Sequence, residues 1–226
     1  MGLSGYNEFK LALARASHTT DMGDPSGSQQ PIASGDSLEA IFHKLHMLHT
    51  ISLGETLERL DTDSVERAAA LLSASEKVYC MGNGGSMVTA MEAWARFCTV
   101  TSKFIHITES HMQVITTALA TPSDCILFFS YSGSTRDMED LLTLAKERKI
   151  PIILVTHFPR SAAARLADIT LLCGYNESPL QSGSIAAKIG QMFIIECLYY
   201  AFCKQNPEQT AADRECTAQA ITRKLL

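Results

Sequence analysis

Two short stretches carry the residue types best suited to chemistry. The first is Gly82-Asn83-Gly84-Gly85-Ser86. Glycines there permit close backbone approach and positive φ, and a helix starting behind them would aim unpaired N–H groups at the loop. The second is Ser130-Tyr131-Ser132-Gly133-Ser134-Thr135, in which five of six residues are hydroxylic or glycine. Clustered hydroxyls in front of a helix N-terminus form an anion cradle that needs no Lys or Arg. Such a set suits a phosphate monoester better than a carboxylate, because phosphate offers more acceptor oxygens. A glycine-rich structural turn and a serine-rich cap are the plain alternatives for the two loops. The first loop also has a partial likeness to a dinucleotide fingerprint. Met87 stands at its third glycine position, and Glu109 is placed to serve as the ribose-binding acid.

Groups able to act as acid or base are Glu109, His111, His157 and Glu177, all expected in loops or at helix starts. None lies in a recognisable catalytic motif, so no catalytic residue is assigned. His43, His46 and His49 recur every three residues. They do not share one narrow helical face and no carboxylate completes a ligand set, so no metal or other cofactor is expected. The seven cysteines are odd in number and contain no CxxC, and several lie in apolar runs. Free buried thiols in a reducing cytoplasm fit this pattern better than disulfides or zinc.

The elements that must position the two loops follow from hydrophobic periodicity. Leu38, Ile41, Phe42, Leu45, Leu48 and Ile51 mark one face of a helix over 38–60 that Ser37 can cap. A second helix is predicted over 63–74. From residue 77 strand and helix alternate: strands over 78–81, 104–107, 125–129, 152–155 and 169–172, with helices over 86–99, 111–120, 136–148 and 161–167 between them. Two helices, over 184–203 and 208–225, close the chain. Continuous apolarity in the run Cys125-Ile126-Leu127-Phe128-Phe129 marks a central parallel strand. This order implies an α/β fold: a three-layer αβα sandwich around a five-stranded parallel sheet.

The chain has 226 residues, 46% of them hydrophobic and 19% charged. That balance supports a full core and argues against disorder. Nineteen basic against 24 acidic residues give a net charge of −5, wrong for a surface built to grip nucleic acid. No apolar run is read as reaching the roughly 18 residues of a membrane span, and no secretory signal pattern opens the chain. Residues 1–16 read as the end of a separate module, 17–36 as a Ser-, Gly- and Pro-containing linker, and 37–226 as the folded domain.

On these residues the chain resembles the sugar isomerase (SIS) domain family, whose phosphosugar-binding loop reads S-x-S-G-x-[ST]. The likeness continues through Glu109-Ser110-His111-Met112-Gln113, Ala167-Asp168-Ile169-Thr170 and Ala186-Ala187-Lys188-Ile189-Gly190-Gln191. Together these resemble effector domains of RpiR-type, phosphosugar-responsive transcriptional regulators, over about residues 38–203. Residues 2–13 resemble the stretch that closes the N-terminal helix-turn-helix domain of such regulators, the preceding helices being absent.

The resemblance implies a flavodoxin-like SIS fold and a sugar phosphate effector. Ser86, Ser130, Ser132 and Thr135 would hold the phosphate, Tyr131 mainly through its backbone N–H. Asn83 and Gly85, with Gly84 between them, would approach the sugar ring. His111 and Glu177 would line the pocket, Glu177 across a subunit interface. The expected assembly is a homodimer or homotetramer, with the helices over 38–60 and 185–203 as candidate surfaces. DNA would be contacted only through the absent helix-turn-helix module, and no membrane is involved. The runner-up activity is sugar-phosphate isomerisation or epimerisation.

Overall fold

The computed structural model describes residues 32–174 and 185–224. Two N-terminal helices come first, α1 (Leu38–Arg59) and α2 (Thr62–Ala74). The alternating part follows as β1 (Val78–Gly82), α3 (Ser86–Phe97), β2 (Phe104–His106), α4 (Ser110–Leu119), β3 (Cys125–Phe129), α5 (Arg136–Glu147), β4 (Ile152–Thr156), α6 (Ala162–Leu166) and β5 (Ile169–Leu172). Helices α7 (Ile185–Gln205) and α8 (Pro207–Thr222) complete the described chain. The sheet is parallel throughout, in the order β2-β1-β3-β4-β5. The expected three-layer α/β architecture is present, with element ends shifted by up to three residues.

Strand alternation builds the layers, because successive side chains point to opposite faces of a sheet. Val78, Cys80, Cys125, Leu127, Phe129, Ile153 and Val155 face one way, into a core shared with α2, α3 and α7. Tyr79, Met81, Ile126, Phe128, Ile152 and Leu154 face the other, into a core shared with α5 and Ala163 of α6. Phe97 stacks on Phe104 with centroids 4.1 Å apart and meets Tyr199 and Phe202 edge-on, closing the first core beside the edge strand.

Two expectations change here. By length and composition α7 does qualify as a membrane-spanning segment, contrary to the sequence reading. Half of that stretch is buried, with Ile194, Ile195, Leu198, Tyr199 and Phe202 packed on the sheet. A helix buried on several sides reads as apolar all round. This packing also removes most of α7 from the candidate subunit surface, although Ile185 and Tyr200 stay exposed. The apolar stripe of α1, in contrast, faces outward at Leu38, Phe42 and Leu45. The fully buried residues of α1 are polar: Ser52 donates to the Ala186 carbonyl (2.6 Å), and Thr56 Oγ1 accepts from Gly174 N–H (2.9 Å), while Leu48 of the stripe packs half-buried on Ala186 and Ala187. Ser37 caps α1 as expected, accepting from Ala40 N–H.

All seven cysteines are free. Burial pushes the Cys125 thiol up to about 12, which makes it inert as a nucleophile. Residues 1–31, which hold the expected helix-turn-helix remnant and most of the linker, lie outside the described residues.

Candidate functional site

Strand order places the two singled-out loops side by side. The chain runs from β1 to β2 on one flank, then returns to β3 on the other flank of β1. The switch point therefore lies between the C-terminal ends of β1 and β3, where open parallel sheets bind ligands. Gly82 and Phe129 are register partners there, so the loop after β1 and the loop after β3 start level with each other.

The first loop is a tight turn. A Cβ on Gly82 would come 2.7 Å from the Ser86 carbonyl oxygen and 3.1 Å from that of Phe129, so no side chain fits. Gly84 has φ +56°, a region that favours glycine. The turn is closed by Ser86 N–H to the Asn83 carbonyl (3.1 Å) and Met87 N–H to the Gly84 carbonyl (3.2 Å). Helix α3 starts behind it with Gly85 as its cap residue, and no side chain caps the first turn. Beneath the loop, Gln113 Nε2 donates to the carbonyls of Gly82 (3.2 Å) and Ile107 (2.9 Å), tying the end of β1 to the chain after β2.

The second loop is tied down from outside. Gly133, at φ +58°, donates its N–H to Ser130 Oγ (3.1 Å). A Cβ there would collide with the Ser161 side chain. The Tyr131 carbonyl accepts from both Thr156 Oγ1 (3.0 Å) and His157 N–H (3.1 Å), and the Gly133 carbonyl accepts from Ala163 N–H (3.1 Å). Thr135 is the cap residue of α5, yet no side chain caps that helix either. Two helix N-termini without side-chain caps thus meet the same crevice. The sequence of neither loop contains Lys or Arg. Attraction for an anion comes from amide dipoles and hydroxyls.

The residues expected at a ligand sit as follows. Asn83, Ser86, Tyr131 and Ser132 are half-buried, while Gly84, Gly85 and Thr135 are exposed. Ser130 is buried and accepts from Gly133, which leaves its own O–H to donate. His111 does not line an enclosed crevice in the chain by itself. Its side chain is 92% exposed and its Nδ1 lies 3.0 Å from Glu109. Glu109 caps α4, accepting from His111 N–H and Met112 N–H, and these bonds hold its carboxyl down at about 2. Its oxygens serve its own helix, which weakens the dinucleotide reading that needed them for a ribose. Glu177 lies outside the described residues.

His157 is buried beside the second loop, with its ring stacked on Tyr131 at 5.2 Å. Its Nδ1 lies 3.0 Å from Arg59 Nη1, which also donates to the Cys173 carbonyl (3.2 Å). Burial, then the Arg59 charge, holds the imidazole below its ordinary value, which favours its neutral form. A cleft of about 520 Å³ opens there, lined by Glu55, Glu58, Arg59, His157, Phe158 and Pro159. Sequence reasoning noted His157 but missed Thr156, Arg59 and Gln113. Gln113 closes a stretch that carried the family resemblance, but its role, like those of Thr156 and Arg59, is not marked in sequence, because each acts on a loop or strand distant along the chain.

Residues 71–201 match the family model described as the SIS domain. An uncharacterized HTH-type transcriptional regulator of Haemophilus influenzae is 30% identical over 212 residues, covering 94% of this chain and 73% of the relative. The HTH-type transcriptional regulator RpiR of Escherichia coli is 24% identical, covering 98% and 73%. Among solved structures, the Vibrio vulnificus NanR protein complexed with ManNAc-6P superposes with a TM-score of 0.85 at 23% identity, covering 98% of this chain and 77% of that one.

Proposed function

The chain belongs to the SIS domain family, and from that membership we propose that it is the phosphosugar-sensing part of a cytoplasmic transcriptional regulator of the RpiR type, which binds its effector without turnover. The observation that carries the reading is the crevice at the switch point. Two helix N-termini without side-chain caps and a hydroxyl-rich loop converge there in sequences free of Lys and Arg. The names of the regulators similar to this chain, and the ManNAc-6P bound by NanR, support the same class of ligand.

In this reading Ser86, Ser130, Ser132 and Thr135 donate to the phosphate, with the Tyr131 backbone. Asn83, Gly84 and Gly85 lie along the sugar ring. His111 and Glu177 complete the pocket in an assembled dimer or tetramer, which gives the exposed His111 a use. The outward apolar stripe of α1 is a surface for such a second copy. Effector binding then shifts the population of subunit arrangements, and with it the placement of attached DNA-binding modules. Turnover would need a base beside the sugar carbonyl. Glu109 caps its own helix and His157 sits behind Tyr131, so neither is presented for that work.

Mixing the chain with a panel of hexose, amino-sugar and pentose phosphates, followed by NMR of the ligands over hours, tests the proposal. Line broadening of one class without new peaks is the expected result. New product peaks would make the protein an isomerase or epimerase, and unchanged spectra for the whole panel would remove the phosphosugar reading.

A further inference from the structure

The ladder between β3 and β4 slips by one residue where it enters the second loop. Along the regular part residues pair as Ile126↔Ile152 through Phe129↔Val155. Ser130 N–H still bonds the Val155 carbonyl at 3.0 Å, as that register requires. In a parallel ladder the next bond would run from His157 N–H to the Ser130 carbonyl. It runs instead to the Tyr131 carbonyl, at 3.1 Å. The Thr156 hydroxyl, on a fully buried side chain, reaches the same oxygen at 3.0 Å.

The slip has a directional consequence. Regular pleating would turn the Tyr131 carbonyl away from β4, toward β1, and the following amide toward β4. Here the carbonyl is held on the β4 side by two donors. The described peptide bonds include no cis bond, and in a planar trans peptide the N–H points opposite to the C=O. The Ser132 N–H therefore faces the β1 side, which is the crevice containing the Gly82–Ser86 turn. The next carbonyl but one, that of Gly133, is held by Ala163 N–H at the start of α6, so the Ser134 N–H is likewise turned away from α6.

We infer that Thr156, with the backbone of His157, is a positioning residue that reverses the Tyr131–Ser132 peptide so that the Ser132 N–H becomes an anion ligand for the phosphate end of the effector. This rests on the proposed phosphosugar reading and adds a ligand atom to it. Thr156 itself touches no ligand and acts only through the Tyr131 carbonyl. Its ring-bearing neighbour His157, stacked on Tyr131, limits how far the peptide can rotate back.

The experiment is a titration of the ¹⁵N-labelled chain with inorganic phosphate and, separately, ManNAc-6P, on wild type, Thr156→Val and Thr156→Ser. In wild type the Ser132 amide proton is expected to move downfield on saturation. Valine keeps the shape and removes the hydroxyl, so the apparent Kd should rise about 5- to 10-fold, as loss of one hydrogen bond predicts. Serine restores the hydroxyl and should bring Kd back to within about twofold of wild type. A wild type that binds while its Ser132 amide stays unmoved overturns the inference, even if Thr156→Val does not fold. So does a folded Thr156→Val that binds as wild type does. A wild type that binds neither probe overturns this inference, while the phosphosugar reading falls only if the whole sugar-phosphate panel also leaves the chain unbound.

Discussion

The two loops of the crevice do similar work by opposite means. The turn after β1 is held mainly by its own bonds, Ser86 to Asn83 and Met87 to Gly84, with exposed glycines at its tip. The loop after β3 is bolted to distant elements, through Thr156 and His157 of the β4 end and Ala163 of α6, and is braced within itself by the buried Ser130 hydroxyl. Each buried bond that fixes a peptide before a ligand arrives removes an ordering cost at binding. The second loop is thus the preorganised half of the proposed site and the first the compliant half.

Equivalent glycine substitutions offer the strongest way to break that contrast. Gly84 and Gly133 have nearly the same φ, +56° and +58°. A Cβ on Gly84 meets nothing, while one on Gly133 collides with Ser161. Gly84→Ala should cost only the backbone strain, about 1–2 kcal/mol. Gly133→Ala should add overpacking to that strain, for about 3 kcal/mol or more in urea unfolding. Equal losses would show that the second loop yields as easily as the first.

Next in size is the loss of a hydroxyl. Ser132→Ala removes one donor to a phosphate and should weaken phosphosugar binding by about 1.5–3 kcal/mol if that bond is charge-assisted. Calorimetric titration measures it, and unchanged affinity would put the phosphate outside the preorganised loop.

The smallest effect is one of pH. His157 is held below its ordinary value by burial and by Arg59, with Glu55 as the opposing charge. In the unfolded chain the imidazole takes its proton near pH 6.5, before the folded one does. The stability contributed by neutral His157 is therefore complete above that pH and is lost as pH falls below it toward the folded value. His106 is shifted the same way by burial and adds to the slope. Unfolding curves between pH 7.5 and pH 5, both about the imidazole range, should show a shallower fall for His157→Gln than for wild type. An identical slope would mean that the β4 end does not sense protonation.

Much of the fold was legible because apolar runs mark central strands and short hydroxyl or glycine stretches mark strand ends. The run from Cys125 to Phe129 and the loop behind it could be placed from sequence alone. The direction in which a helix presents its stripe could not. Periodicity grouped Leu38, Ile41, Phe42, Leu45, Leu48 and Ile51 on one face, yet Leu38, Phe42 and Leu45 are exposed and only Ile41, Leu48 and Ile51 are half-buried, because Ser52 and Thr56 make the close approach to α7. Nor could the sequence show that Thr156 governs Tyr131, since the bond depends on a one-residue slip between two strands. The capping role of Glu109 was hidden for a related reason: a carboxylate before a helix caps it as readily as it binds a ligand.

The polar contact between α1 and α7 has a mechanical side. Thr56 Oγ1 bonds Gly174 and also fills the space where a side chain on Gly190 would start, 2.6 Å from it. With Ser52 on Ala186, this pins the C-terminal half of α1 to the core in a patch centred on those two residues, flanked by Leu48 on Ala186 and Arg59 on the Cys173 carbonyl. From that patch to Leu38 the helix runs as a stiff rod for about 16 residues, roughly 24 Å at 1.5 Å per residue. A tilt of about 5° at the pivot then carries the Leu38 end through about 2 Å. A small rotation about that contact with α7 would thereby be amplified at the far end of α1, as by a pointer on a short bearing.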